Sequence, residues 1–129
     1  LDTSATLADM TPSPSARAER LRALYAAFDA RDVETILAAV TEDVVWTNGW
    51  EGGQVQGHAA LADYWRRQWE DLDPSVEVIS VDPLPDGRDA VRVHQVVRDL
   101  GGALIGEADV LHLYRWRGDL VEQMEIAPA

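Results

Sequence analysis

From Ala16 onward the apolar positions follow a helical period first and an alternating one later. Leu21, Leu24, Tyr25 and Phe28 stand at i, i+3, i+4 and i+7, with Arg17, Glu19, Arg20 and Arg22 largely off that stripe, which predicts an amphipathic helix. Asp32 reads as the N-cap of a second, shorter helix carrying Val33, Ile36, Leu37 and Val40, with Glu34 in its first turn. Thr41, Glu42 and Asp43 are expected to end it. A third helix follows Gly57 and His58, with Leu61, Trp65 and Trp69 at i, i+4 and i+8, and Pro74 closes that region. Strand signals occupy 44–46, 76–81, 90–98, 103–116 and 120–126, separated by turns at Pro83 to Gly87, Gly101-Gly102 and Arg117-Gly118. Helices first and strands afterwards predict an α+β fold, with the three helices on one face of a curved antiparallel sheet. Residues 1–15, rich in Thr, Ser, Ala and Pro, are expected to form a flexible leader, and 16–129 a single domain.

Composition narrows the chemistry. The 129 residues carry 23 acids against 11 basic residues, a net charge of −12, and every basic residue is Arg. Nucleic acid and anionic membrane surfaces are poor partners for such a chain, because both need a basic face. Without Cys or Lys there is no disulfide, thiolate nucleophile, Schiff base or phosphate-loop lysine. The three His are scattered, so no metal is expected, and no Gly-rich strand-to-helix segment marks a dinucleotide site, so no cofactor is expected. No apolar run approaches a membrane span, and the expected location is the cytoplasm.

Alternation divides 103–116 into two faces. Leu104, Gly106, Ala108, Val110, His112, Tyr114 and Trp116 form the nearly uncharged one, expected to face a pocket, with His112 its readily titratable group. The opposite face, with Ile105, Glu107, Asp109, Leu111, Leu113 and Arg115, suits a partly exposed homodimer surface. On the preceding strand Val91, Val93, Gln95 and Val97 turn inward, Gln95 being the hydrogen-bonding member. Trp46 and Asn48 share a face of the first strand, and Trp50 follows in the loop; Asn48 also suits an Asn-Gly turn bonded to its own backbone.

The last hairpin decides where Glu125 points. With Arg117-Gly118 as a two-residue loop, His112 pairs with Gln123, and Glu125 lies diagonal to His112 on the same face, an acid–base pair. With a three-residue loop, Leu120, Glu122, Met124 and Ile126 turn inward and Glu125 outward.

The run from Ala27 to Trp46, with its Arg31-Asp32 step and Glu42-Asp43-Val44-Val45-Trp46 strand entry, followed by Gly57-His58-Ala59-Ala60-Leu61, resembles the SnoaL-like branch of the nuclear transport factor 2 and ketosteroid isomerase superfamily. The resemblance spans about 16–127. It implies a cone-shaped α+β barrel with a deep pocket and a homodimer formed across the sheet. Set against ketosteroid isomerases, the base position is Asn48, the partner acid position is His112, and the Tyr position falls near Leu24, beside Tyr25. Set against the epoxide-hydrolase branch, Trp46 and Asn48 match a Tyr and an Asn that hold water, Val93 and Gln95 replace an Arg and an Asp, and the terminal acid falls at Glu125. Fold alone does not give function. The reading is therefore a pocket for a small hydrophobic molecule, with His112 and Glu125 as candidate catalytic residues and Trp46, Asn48, Trp50, Gln95, Tyr114, Trp116 and Tyr25 as candidate ligand contacts. The activity would be a cofactor-independent isomerase or polyketide-cyclase reaction, or one of hydrolase or dehydratase type; the alternative is a non-catalytic ligand-binding, interaction or dimerisation domain.

Overall fold

The computed structural model describes residues 11–49 and 51–129. Leu1 to Met10, which make up most of the expected leader, and Trp50 lie outside the described residues. Helix α1 (Pro14–Asp29) begins two residues before the predicted start: the Ser13 side chain caps the Ala16 amide at 3.2 Å, and Pro14 fits the first turn because its missing N–H has no partner there anyway. Helix α2 (Val33–Ala38) is capped by Asp32, which accepts from the Thr35 amide and hydroxyl, as its position predicted. It is shorter than its apolar pattern suggested, for Val40 to Asp43 already belong to strand β1 (Val40–Thr47). After the short β2 (Gln54–Gln56) comes α3 (His58–Asp71), then β3 (Leu72–Pro83), β4 (Asp89–Asp99), β5 (Leu104–Arg117) and β6 (Leu120–Pro128). Pro74 does not stop α3; it sits inside β3, at the sheet edge, where a strand tolerates a missing donor.

The six strands form one curved, open sheet in the order β2-β1-β6-β5-β4-β3, with the three helices beside it, an α+β cone. Four of the five pairings are antiparallel, while β1 and β6 run parallel. The last strand thus returns to lie between the first strand and β5. Leu21, Leu24 and Tyr25 of α1, Leu61 and Trp65 of α3, Val91 and Val93 of β4, Tyr114 of β5 and Val121 and Met124 of β6 form the core between helices and sheet.

Two bulges change what faces inward. In β5, Val97 pairs with Gly106 but Arg98 with Leu104, so Ile105 is the extra residue and is re-aimed toward the cavity, while Leu104 leaves the face assigned to it. In β6, Trp116 pairs with Val121 but Arg115 with Gln123, leaving Glu122 extra. The turn itself is Gly118-Asp119, since Arg117 pairs with Leu120. Continued without a bulge, that register would set Glu125 directly opposite His112. One inserted residue sets Ile126 opposite His112 instead and sends Glu125 to the outer face beside Leu113.

Candidate functional site

A cavity of about 220 Å³ opens between α1, α3 and the concave face of the sheet. Its deep end is aromatic. Trp46 from β1 meets Trp65 of α3 edge-on, with ring centroids 5.4 Å apart, and Tyr114 of β5 at 6.0 Å; Phe28 lies 6.2 Å from Trp65. Edge-to-face packing of this kind fixes ring orientation beyond what burial alone provides. Gly49 lines the wall close to β6: a Cβ there would lie 2.9 Å from Ile126 Cδ1, so a larger residue requires the end of the Ile126 side chain to shift.

The polar centre of this end is a chain of three buried groups. Tyr114 donates its hydroxyl proton to Tyr25 at 2.7 Å, and the Tyr25 hydroxyl lies 2.6 Å from His112 Nδ1. The Tyr25 and His112 rings stack at 14°, with centroids 5.8 Å apart. Burial pushes His112 down to about 4, because charging the imidazole in this apolar wall forfeits its hydration. Burial likewise pushes both tyrosines up, Tyr25 being raised further by its neighbour Tyr114. At neutral pH all three are therefore uncharged. Having accepted from Tyr114, Tyr25 gives its own proton to Nδ1, and the imidazole carries its hydrogen on Nε2. That Nε2–H has no hydrogen-bond partner among the described residues and is the donor the ring offers to the cavity.

Such a chain is better suited to polarising a bound group than to delivering a proton. Donating fully from Nε2 would draw the Tyr25 proton onto Nδ1 and the Tyr114 proton onto Tyr25, leaving a buried tyrosinate. No Arg, Asp or Glu is among the described residues lining the cavity to compensate such a charge. A neutral imidazole held this way acts as an electrophile, stabilising charge that grows on an oxygen it touches.

The other predicted residues divide. Trp46, Tyr25, Gln95, Tyr114 and His112 line the cavity. Glu125 does not: it is on the outer face, 42 % exposed, with its carboxylate 3.9 Å from Arg88, so the expected His112–Glu125 pair does not form. Asn48 is buried in its own turn, accepting from the Glu51 amide at 2.7 Å and donating to the Glu51 carboxylate at 3.2 Å. Trp116 is not in this lining; it lines a separate hollow with Leu21, Leu24 and Val121 and donates Nε1–H to Asp89 at 2.8 Å. Trp50 is outside the described residues. Of the two remaining histidines, His58 donates to the Val40 carbonyl at 3.2 Å, and His94 bridges Asp109 and Glu107 on the outer face, 2.6 Å from each. Sequence reasoning missed Phe28, Tyr64, Trp65 and Gln68 as lining residues. The helical spacing of Trp65 and Trp69 marked a core stripe, and the cavity is cut into that core.

The helices and the curved sheet thus enclose an aromatic cavity with one neutral imidazole in an α+β cone. Residues 21–124 match the SnoaL-like domain family, and the chain belongs to it. No curated protein matches the chain. Among solved structures, an NTF2-like protein of unknown function from Burkholderia pseudomallei is 21 % identical, with a TM-score of 0.76 and 92 % of each chain covered. TerC, co-crystallised with polyporic acid, is 26 % identical with a TM-score of 0.76, covering 91 % of this chain and 92 % of its own. Rv0760c from Mycobacterium tuberculosis, in complex with estradiol-17β-hemisuccinate, is 18 % identical with a TM-score of 0.73, covering 89 % and 93 %. No helix among the described residues is long and apolar enough to cross a membrane.

Proposed function

We propose that the cavity binds a small, neutral, mainly apolar ring compound and that His112 Nε2–H hydrogen-bonds a carbonyl or hydroxyl oxygen of that ligand. The observation carrying this reading is the buried Tyr114–Tyr25–His112 chain, which ends on an unpaired donor facing a mainly apolar cavity. That donor is open to the cavity, and a ligand oxygen placed there gains a hydrogen bond among apolar contacts. Two fold relatives crystallised with polyporic acid and with estradiol-17β-hemisuccinate support a cyclic ligand body; both compounds carry acidic groups, so the neutral character rests on the uncharged lining of this cavity.

Chemistry at this site is polarisation of the bound oxygen. An isomerase or cyclase needs a base beside that polariser, and no carboxylate lines the described cavity, which favours the binding reading over acid–base turnover. Equilibrium titration of the intrinsic tryptophan fluorescence with estradiol tests the proposal. His112→Phe is expected to weaken binding at least tenfold, about 1.4 kcal/mol, while the wild-type affinity stays flat between pH 6 and 8, where His112 is neutral. Equal affinity in the variant, or a step in wild-type affinity near pH 6.5, refutes it. The homodimer expected of the outer sheet face is part of the same proposal; sedimentation equilibrium returning a monomer at micromolar concentration would remove it.

A further inference from the structure

The hollow beside Trp116 is a second recess, set apart from the cavity of His112. Its volume is about 280 Å³, close to the ~300 Å³ at which small-molecule clefts begin. Residues of α1, α2 and the β5–β6 turn surround it, and Leu24 alone belongs to both linings among the described residues. Leu21, Leu24 and Val121, all buried, make its floor, and Val121 is anchored by its amide, which donates to the Ala39 carbonyl at 3.0 Å. The two helices border the hollow with Ala23, Ala38 and the capping Ala39, whose methyl groups are too short to fill it. Trp116 adds a ring. Its Nε1–H is given to Asp89, and no aromatic ring among the described residues packs on its faces. Thr35, the lining hydroxyl, is likewise spent, donating to Asp32 at 2.6 Å.

Two charges stand on this lining, one of each sign. Arg20 Nη1 and Asp119 Oδ2 are 3.9 Å apart, too far for a hydrogen bond, and their side chains are 49 % and 60 % exposed. Neither side chain makes a hydrogen bond with a described residue. An exposed pair at that separation contributes little, so parting it costs little, and the guanidinium keeps its N–H donors and the carboxylate both its oxygens for a ligand. An α-amino acid carries the complementary pair, a carboxylate and an ammonium on one carbon, next to its side chain. A net anion would meet the field of a chain at −12 with no surplus cation on this lining, whereas a zwitterion brings no net charge.

We infer that this hollow binds a free α-amino acid with an apolar aromatic side chain, its carboxylate on the Arg20 guanidinium, its ammonium on the Asp119 carboxylate and its ring against Trp116 and the apolar floor. Charge-assisted hydrogen bonds at the rim set the orientation, and burial of the ring supplies the apolar contact. The inference stands independently of the reading of the His112 cavity.

Isothermal titration calorimetry of the full chain with L-phenylalanine, phenylalaninamide and N-acetylphenylalanine tests each contact. The free amino acid is expected to bind at one site, with the amide and the N-acetyl compound each about tenfold weaker. Arg20→Gln should weaken L-phenylalanine about tenfold and leave the amide unchanged, since the amide has no carboxylate to lose; Asp119→Asn should do the same to L-phenylalanine and leave the N-acetyl compound unchanged. Ala38→Leu fills the hollow and should remove binding. Arg20, Ala38 and Asp119 are all exposed, so these variants keep the core intact. No saturable heat from L-phenylalanine up to about 10 mM overturns the proposal, as does equal affinity for the three compounds. Binding that survives Ala38→Leu places the amino acid elsewhere and overturns it too.

Discussion

Replacing Asp89 by Ala is expected to destabilise the protein by about 3–5 kcal/mol, the usual cost of removing one partner of a buried ion pair. Asp89 is 1 % exposed at the start of β4, and its carboxylate takes Arg17 Nε at 2.6 Å, Arg17 Nη2 at 3.3 Å and Trp116 Nε1 at 2.8 Å. The third guanidinium nitrogen of Arg17 donates to the Pro12 carbonyl at 2.9 Å. Without Asp89 a buried guanidinium and a partly buried indole N–H lose their acceptor together. Urea denaturation measures the loss as a fall in midpoint at constant slope. The double change Arg17→Met, Asp89→Leu should recover most of it, because the charge that made the single change costly is gone. A single variant within about 1 kcal/mol of wild type would mean that water reaches the Arg17 head group and the pair contributes little.

The same clasp bears on the site. Arg17 and Tyr25 are eight residues apart on α1 and project from one face, while Asp89 pairs across the sheet with Tyr114. Helix α1 is therefore pinned to the β4–β5 ladder at two levels, by charge at its start and by the tyrosine–histidine chain two turns later. Arg17, which the apolar period sets largely off the stripe, is buried. Four residues before Leu21, it belongs to the buried stripe, and a charge is tolerated there because Asp89, distant in sequence, meets it. Nothing local to either residue announces the partnership.

What was legible in the chain followed period and punctuation. Asp32 before Val33 marked a helix start, and alternation along β5 placed His112 and Tyr114 inward. The same alternation carried no information about the extra residues. A bulge leaves a regular pattern on both of its sides and changes only the phase between them, so Ile105 and Glu122 look like ordinary strand residues. That phase decides whether Glu125 is a catalytic partner or an outer-face acid. The Tyr25–His112 contact joins residues 87 apart in the chain. Its one trace in the sequence was a tyrosine on the buried stripe of the first helix, which, when buried, needs a partner for its hydroxyl.

Acid should destabilise the fold through His112 by about 3 kcal/mol between pH 6.5 and pH 4. The ordinary histidine value is 6.5 and burial holds His112 at about 4 in the native state, so across this window the unfolded chain takes up a proton that the folded chain refuses. Its contribution is complete above pH 6.5 and falls away as pH drops toward 4. Other groups with directional shifts act outside the window. Asp32, Asp43 and Asp86 are held below their ordinary 3.8, so the stability they bring is lost only at more acid pH. His94, raised by Asp109 and Glu107, stays protonated throughout it, and its contribution is lost only as pH rises. Urea midpoints of wild type and His112→Phe between pH 7 and 4 therefore isolate one imidazole. The wild type should lose about 3 kcal/mol more than the variant over that range, with parallel behaviour above pH 6.5. Equal slopes in the two proteins would mean that His112 accepts a proton where it sits; the neutral donor on which ligand recognition was built would then be a cation in weak acid.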